Sequence, residues 1–355
     1  MGSRFYLIVA MFYIVFPIKA QEFEVDVLNI KKEISNSLDG KNFGIQFSLM
    51  SNEIEFNHSA GFKSPVEKLS NENTFNIGST TKLITSLLIL KAVEERKLRL
   101  DDKIRMYFNG NINVDSEITI KNLLQHTSGL RGGVDAKMLF ESFMDSTTNY
   151  SNGSRYNLIE KTTFKPNSSF HYCNYNYHLL GYILEKVYSK SYFELVQERI
   201  IDRYKLENTS PYTICTDANL TDPFLEKVSY KDSTNTNYYR TVCFSAGCIN
   251  SNSTDVCRLL YNVFIDKNFV SRSSIDKLIK STINKNGESQ YGFGIEEEYN
   301  KDGLIYYGHQ GDNLGYGCRI MINVEKKLVG CILFNTLNEW KIKGELFRRM
   351  MRIQQ

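Results

Sequence analysis

The amino-acid sequence predicts an α+β fold: one antiparallel sheet built from both chain ends, flanked by helices, with a mainly helical region inserted. Three observations predict it. Alternating or apolar runs that read as strands lie near the N-terminus and again between residues 303 and 334. Helix-period patterns fill the stretch between them, about residues 80–290. Amphipathic patterns at Phe23–Leu38 and Trp340–Ile353 flank the two strand groups, and their apolar faces need a sheet to cover.

The elements follow in chain order. Residues 1–20 read as a signal peptide: Arg4 is the basic start, Phe5–Ile18 is apolar apart from its tyrosines and Pro17, and Ala20 is a small residue before Gln21. The alternative is an uncleaved N-terminal anchor, although the apolar run falls short of the roughly 20 residues a spanning helix needs. Residues 21–355 are then a single domain outside the cytoplasm, secreted or periplasmic, with no stable membrane span after signal removal. Phe43–Met50 and Glu53–Gly61 read as a strand pair turning at Ser51-Asn52. Ser79–Arg96 reads as a helix, apolar nearly all round, which belongs in the middle of the protein. A helix starting within Ile118–Leu124 has Thr119 as its N-cap, and further helices fit Tyr175–Tyr188, Tyr192–Ile201 and Thr254–Phe264. Gly303–Gly308, Tyr316–Val324 and Leu328–Phe334 read as strands, the last two joined at Glu325-Lys326-Lys327.

Composition narrows the function. A net charge of +3 without a basic stripe argues against a nucleic-acid binder and leaves a small-molecule or peptide substrate. Seven cysteines, all after residue 172, form no disulfide framework and contain no C-x-x-C pair. Five scattered histidines without H-E-x-x-H, and the absence of any cofactor signature, point to chemistry that needs neither metal nor cofactor. A G-x-S-x-G nucleophile elbow is excluded at Ser79 because Gly78 directly precedes it.

The chemistry-bearing candidates lie in three places. Ser79 and Lys82 share one helix face. A serine hydroxyl needs a base, and burial lowers a lysine pKa toward that role. At the first helical turn, unpaired backbone N–H groups also face the reacting carbonyl. The spacing alone is weak: Ser274 and Lys277 repeat it in a polar stretch, where a cap and a surface lysine suffice. Tyr172-Cys173-Asn174 is the second place. A tyrosine beside Lys⁺ can have a lowered pKa and serve as a proton shuttle, and Asn174 could donate to a substrate carbonyl; the alternative is an aromatic and a helix cap in a Tyr-rich segment. The third is His309-Gln310-Gly311, followed by Asp312, on or just after a strand. There a strand edge could pair with substrate, and His309 could steer a substrate carboxylate or hydrogen-bond to the Tyr172 region; the alternative is a solvated hairpin residue.

Taken together, over about residues 40–335, these motifs resemble the penicillin-recognising serine hydrolases: class C β-lactamases, D-alanyl-D-alanine peptidases and related esterases. Gly78-Ser79-Thr80-Thr81-Lys82 resembles the nucleophile motif. Ile118–Leu130, ending His126-Thr127-Ser128-Gly129-Leu130, resembles the second landmark, and Tyr172-Cys173-Asn174 the Tyr-x-Asn segment. Ala246-Gly247-Cys248 and Tyr291-Gly292-Phe293-Gly294 are similar to two structural stretches, and His309-Gln310-Gly311 stands in the place of Lys-Thr-Gly. The resemblance implies a β-lactamase-like fold and a Ser79 acyl-enzyme acting on a peptide amide, β-lactam or small ester. It makes Ser79, Lys82 and Tyr172 catalytic, and Asn174, His309, Gly311 and Asp312 substrate-binding, with the backbone N–H groups of Ser79 and Asp312 as the oxyanion hole. It gives His126 a structural role beneath the nucleophile, and leaves His171 and His178 as ordinary surface or packing residues. The alternative is a non-turnover penicillin-binding or sensor protein of the same fold. Three departures stand out: Cys173 for serine, Cys248 for glycine, and His309 for lysine, the last shifting expectation away from a dedicated β-lactamase.

Overall fold

The structure, a computed structural model, describes residues 26–108, 114–131, 162–214, 216–225, 228–229, 242–282, 291–300, 303–337 and 339–353. The signal-peptide segment, most of the loop between Arg131 and Lys165, and Cys215 lie outside the described residues.

Helix α1 (26–37) leads into strands β1 (Gly44–Met50) and β2 (Glu55–Gly61). Then come β3 (Phe75–Asn76), a tight 3-10 turn (Gly78–Thr80), α2 (Thr81–Glu94) and α3 (Ile120–Leu124). Helices α4 (Asn174–Tyr188) and α5 (Tyr192–Val196) precede the short strands β4 (Phe224–Leu225) and β5 (Val228–Ser229). Next are α6 (Phe244–Gly247), β6 (Asn250–Ser251), α7 (Ser253–Leu260) and α8 (Arg272–Ile279). The chain closes with β7 (Glu296–Tyr299), β8 (Ile305–Asn313), β9 (Tyr316–Asn323), β10 (Leu328–Phe334) and α9 (Trp340–Met350).

The main sheet runs β2-β1-β10-β9-β8-β7, antiparallel throughout, so the two chain ends meet at the β1–β10 seam, where Ile45 faces Phe334 and Met50 faces Val329. Because both faces are covered, alternate residues of one strand enter different cores. On the outer face Ile45, Phe47, Ile332 and Phe334 pack with Ile30 and Ile34 of α1 and Leu346 and Met350 of α9. On the inner face Ile320, Cys331 and Leu333 pack with the helical region. Two inner positions of β1 are polar, and each is satisfied: Gln46 Nε2 donates to the Ser70 and Asn73 carbonyls, and Ser48 bonds Ser253.

Helix α2 is the axis of the helical region. From Thr81 to Leu90 every residue is buried, as its all-round apolar pattern predicts. It begins two residues later than expected, because Gly78–Thr80 wind as a 3-10 turn first. Thr119 caps α3 as expected, accepting from the Asn122 N–H at 3.2 Å while Asn122 Oδ1 accepts from the Thr119 N–H at 2.9 Å. The segments expected at Tyr192–Ile201 and Thr254–Phe264 are helical, but both end in wide turns, Gln197–Ile201 and Tyr261–Ile265. Strand β7, of sequence Glu-Glu-Glu-Tyr, was not expected, and β8 extends to Asn313, five residues past its expected end, because its register with β9 is unbroken from Tyr307 to Asn313. Among the described residues six cysteines are free thiols, and no helix is long and apolar enough to cross a membrane.

Two glycines let β8 press against the turn before α2. A Cβ on Gly311 would stand 2.0 Å from the Ile77 carbonyl oxygen, and one on Gly78, whose φ is +51°, would stand 2.9 Å from the Asp312 nitrogen. Both contacts are backbone to backbone, so neither is relieved by a rotamer change. Gly311→Ala should therefore cost about 2 kcal/mol or more of stability, read as a lower midpoint in urea with unchanged slope; a midpoint equal to wild type would show that the two segments have slack.

Candidate active site

The turn that carries Ser79 is held by one buried side chain that sequence reasoning missed. Asn76 Oδ1 accepts from the Gly78 N–H at 3.0 Å, and its amide donates to Thr213 Oγ1 at 2.6 Å and to the carbonyls of Gly247 and Ile249, both at 3.2 Å. A short polar side chain accepting from the N–H two residues on is an Asx turn, so Asn76 two places before Gly78 was the available signal. Asn313 donates to the same Asn76 oxygen at 3.0 Å, joining the far end of β8 to the turn.

The turn sets Ser79 at the mouth of α2, with Lys82 one turn deeper. Lys82 Nζ donates to Ser79 Oγ at 2.9 Å and to the Ala246 carbonyl of α6 at 2.9 Å. Its side chain is fully buried, and Nζ lies 4.9 Å from the Tyr172 ring centroid and 5.8 Å from that of Tyr177. With no carboxylate among its hydrogen-bond partners, desolvation dominates and pulls the Lys82 pKa down to about 7.

Tyr172 corrects one expectation. Its hydroxyl interacts with Ser79, which favours the phenolate, but burial is the larger effect and the pKa is raised above the usual tyrosine value, not lowered by the lysine. The residue as a whole is 37% exposed, so the desolvation is concentrated at the hydroxyl end, under the turn. Tyr172 at neutral pH is an intact O–H.

Beneath it lies His126. The His126 ring packs 4.3 Å from the Tyr172 ring, and its Nδ1 accepts from the Cys173 backbone N–H at 3.1 Å and from the Asn176 amide at 2.9 Å. Two donors on Nδ1 leave the proton on Nε2, and burial keeps the ring neutral, its pKa well below the ordinary histidine value. This is the supporting role the sequence implied. His178 packs edge-on to Tyr175, also away from the nucleophile.

A cleft of about 300 Å³ opens in front of Ser79, lined by Gly78, Asn174, Cys243, Asp312 and Leu314 among others. Asn174 is the first residue of α4, and its buried Oδ1 has no hydrogen-bond partner among the described residues. His309 is not among the lining residues. It is 1% exposed, bonds the Tyr291 hydroxyl through Nε2 at 2.7 Å and the Gln310 carbonyl through Nδ1 at 2.6 Å, and its pKa is lowered to about 3, chiefly by burial and then by Lys82. Its ring stands 6.4 Å from that of Tyr172 while its hydrogen bonds go to Tyr291 and Gln310, and the solvated hairpin position is excluded. Gly311 serves the close approach of β8 already described. Asp312 presents backbone to the cleft, while its side chain lies on the outer face with Gln310 and Lys343.

The Beta-lactamase family description matches residues 51–353, most of the chain. The chain belongs to the beta-lactamase family. It is 32% identical over 151 residues to Protein flp of Staphylococcus aureus (strain MW2), covering 40% of this chain and 29% of that protein. It is 25% identical over 294 residues to penicillin-binding protein 4* of Bacillus subtilis (strain 168), covering 78% of this chain and 64% of that one. The chain thus spans less than two thirds of either relative's length. Among solved structures it resembles the D-amino acid amidase of Ochrobactrum anthropi SV3, with a TM-score of 0.76 at 17% identity over 92% of this chain and 98% of that one. The fold is β-lactamase-like, as the sequence resemblance implied.

If Lys82 acts as the base, its depressed pKa sets the pH dependence. The amine is the active form, so kcat/KM should rise with pH through about 7 and then level off. His309, lowered to about 3, should add no second limb between pH 5 and 8. The stability sign agrees: between about 7 and the ordinary lysine range the unfolded chain binds the extra proton, so unfolding free energy should rise with pH there. Lys82→Met should flatten that rise in urea titrations; an unchanged slope would mean that the native amine is not neutral.

Proposed function

We propose that this protein is a serine hydrolase working through an acyl-enzyme on Ser79, with a small amide or ester as substrate. The observation that carries this reading is Lys82 Nζ at 2.9 Å from Ser79 Oγ, held near neutrality by burial alone. Ser79 Oγ attacks the substrate carbonyl carbon while its proton passes to the Lys82 amine. The tetrahedral oxyanion is met by the backbone N–H groups of Ser79 and Asp312. The C–N or C–O bond then breaks, and the leaving group takes a proton from Lys82, relayed by the Tyr172 hydroxyl. Water attacks the ester carbonyl by the same route and frees Ser79. Asn174 lines the cleft beside Ser79, where its amide N–H can donate to a substrate carbonyl.

The cleft supports a substrate of modest polarity. Val242, Leu314 and Leu337 provide apolar wall, and the one titratable group among the acidic and basic lining residues is Asp312, already engaged by Lys343. With His309 buried and neutral, no charge from it reaches a substrate carboxylate. That favours an uncharged amide or ester over a carboxylate-bearing β-lactam. A relative is named as a penicillin-binding protein and a structural neighbour as a D-amino acid amidase, so amide bonds next to a D-residue belong in the first screen. The N-terminal stretch further supports a site of action outside the cytoplasm.

A fluorophosphonate probe, a chromogenic acetate ester, nitrocefin and a D-phenylalanine amide presented in parallel test this. Wild type should label and should turn over the ester or the amide faster than nitrocefin. Ser79→Ala should lose labelling and turnover altogether, and Lys82→Ala should lose about 10²–10⁴-fold in rate. Labelling that persists in Ser79→Ala would sink the assignment; stable labelling without turnover would mark a binding or sensor protein.

A further inference from the structure

Asp312 is split between the two faces of the sheet. Its backbone lines the cleft, beyond the point where β7 stops pairing with β8 at Gly308. In the register of β8 with β9, Asp312 lies opposite Gly317 and Gln310 opposite Arg319, alternating with Gly311 opposite Cys318 and His309 opposite Ile320. Ile320 and Cys318 belong to the inner core. The Asp312 and Gln310 side chains therefore project to the outer face, where α9 packs. There Lys343 of α9 donates to Asp312 Oδ1 at 3.1 Å and Gln310 Nε2 donates to Oδ2 at 2.6 Å, so each carboxylate oxygen is engaged. Arg319 bonds Gln310 Oε1 at 3.0 Å and ion-pairs with Glu298 of β7, extending the chain of contacts across three strands.

A second, independent feature shows that the lysine path is built in. A Cβ on Gly317 would stand 2.3 Å from Lys343 Nζ and 2.8 Å from its Cε, so the lysine lies flat across β9 only because residue 317 has no side chain. Lys343 also lies over the Phe334 ring at 5.4 Å and reaches the Leu337 carbonyl at 3.4 Å, and its side chain is 11% exposed. An ion pair this enclosed is more confining than a surface pair.

We propose that the Lys343–Asp312 ion pair is a positioning device: through it the C-terminal helix fixes the Asp312 backbone N–H that receives the oxyanion on the opposite face of the sheet. The proposal rests on the hydrolase reading above. Lys343 touches no substrate. It acts by holding the one strand edge whose displacement by about 1 Å would weaken oxyanion binding while leaving ground-state binding alone.

The test measures kcat and KM on the best substrate of the screen, and Ki for phenylboronic acid, whose serine adduct places a hydroxyl in the oxyanion site. Lys343→Met and Asp312→Asn should each lower kcat about tenfold, leave KM within about twofold, and raise Ki in step with the loss in kcat. The double variant should be no worse than either single one, as expected of two ends of one interaction. Lys343→Arg should recover most of kcat. Gly317→Ala, which displaces the lysine, should lower kcat in wild type and add nothing to Lys343→Met. Thermal melts identify any variant that fails to fold, and Lys343→Arg and Gly317→Ala keep the test open in that case. Unchanged kcat in folded Lys343→Met, additive losses in the double variant, or losses confined to KM would overturn the proposal. Wild type that neither labels nor turns over would instead overturn the hydrolase reading, and this inference with it.

Discussion

A buried lysine ammonium with no carboxylate among its hydrogen-bond partners is the constraint on which the site depends. Lys82 lies wholly inside the protein, and its two hydrogen-bond partners, Ser79 Oγ and the Ala246 carbonyl, are both neutral. Keeping the charge there is costly, so the proton leaves easily and the pKa falls to about 7. A carboxylate placed beside Nζ would pin the proton and silence the base. The neighbours obey the same logic: Tyr172 and Tyr177 present ring faces, and His126 and His309 stay neutral. The core of the molecule is thus organised to surround one amine with groups that bond it without charging it.

That arrangement draws on parts of the chain that are far apart. The turn before α2 touches β8 backbone to backbone through Gly78 and Gly311, and Asn76 ties it to the chain near Gly247. β8 holds its place only because β9 and β10 connect it to β1, some 270 residues earlier in the chain at the β1–β10 seam. The two ends of the chain must therefore meet before the site has its far wall. Contacts of this sequence separation are the slow ones in folding, so the nucleophile helix and the strand it faces belong to different stages of assembly.

Much of the fold was legible because burial and periodicity agree. The all-apolar α2, the Thr119 cap, the terminal helices and the strands on either side of the seam follow from pattern alone. Strand β7 was not legible, since Glu296-Glu297-Glu298-Tyr299 carries charge where a strand pattern asks for apolar residues; it pairs as a sheet edge, where charge is tolerated and blocks further pairing. Of the site, Ser79 and Lys82 were placed by motif and Tyr172 by the Tyr-x-Asn resemblance, but the direction of the Tyr172 shift was misjudged. Desolvation outweighs the effect of a nearby lysine at Tyr172, and the lysine is the group that yields. His309 was open between steering a carboxylate and hydrogen-bonding to the Tyr172 region, and its burial with a bond to Tyr291 is a tertiary fact no local pattern carries. Asn76 had a local signature, an Asx turn two residues before a glycine, that is easily passed over when attention goes to the nucleophile itself.

The second serine–lysine pair shows what spacing does and does not carry. Ser274 and Lys277 sit three apart on α8, as Ser79 and Lys82 do at α2. Ser274 is itself buried, but its Oγ donates to Glu94 at 2.7 Å, and Lys277 points into solvent. A hydroxyl bound to a carboxylate has its proton facing an anion rather than a buried amine. Identical spacing thus yields a helix-end contact in one place and a candidate nucleophile in the other. The difference is not in the pair but in what the rest of the chain packs over the lysine. Such a motif acquires chemical meaning only when later segments, here Tyr172, Ala246 and the edge of β8, are long enough and ordered correctly to close over it.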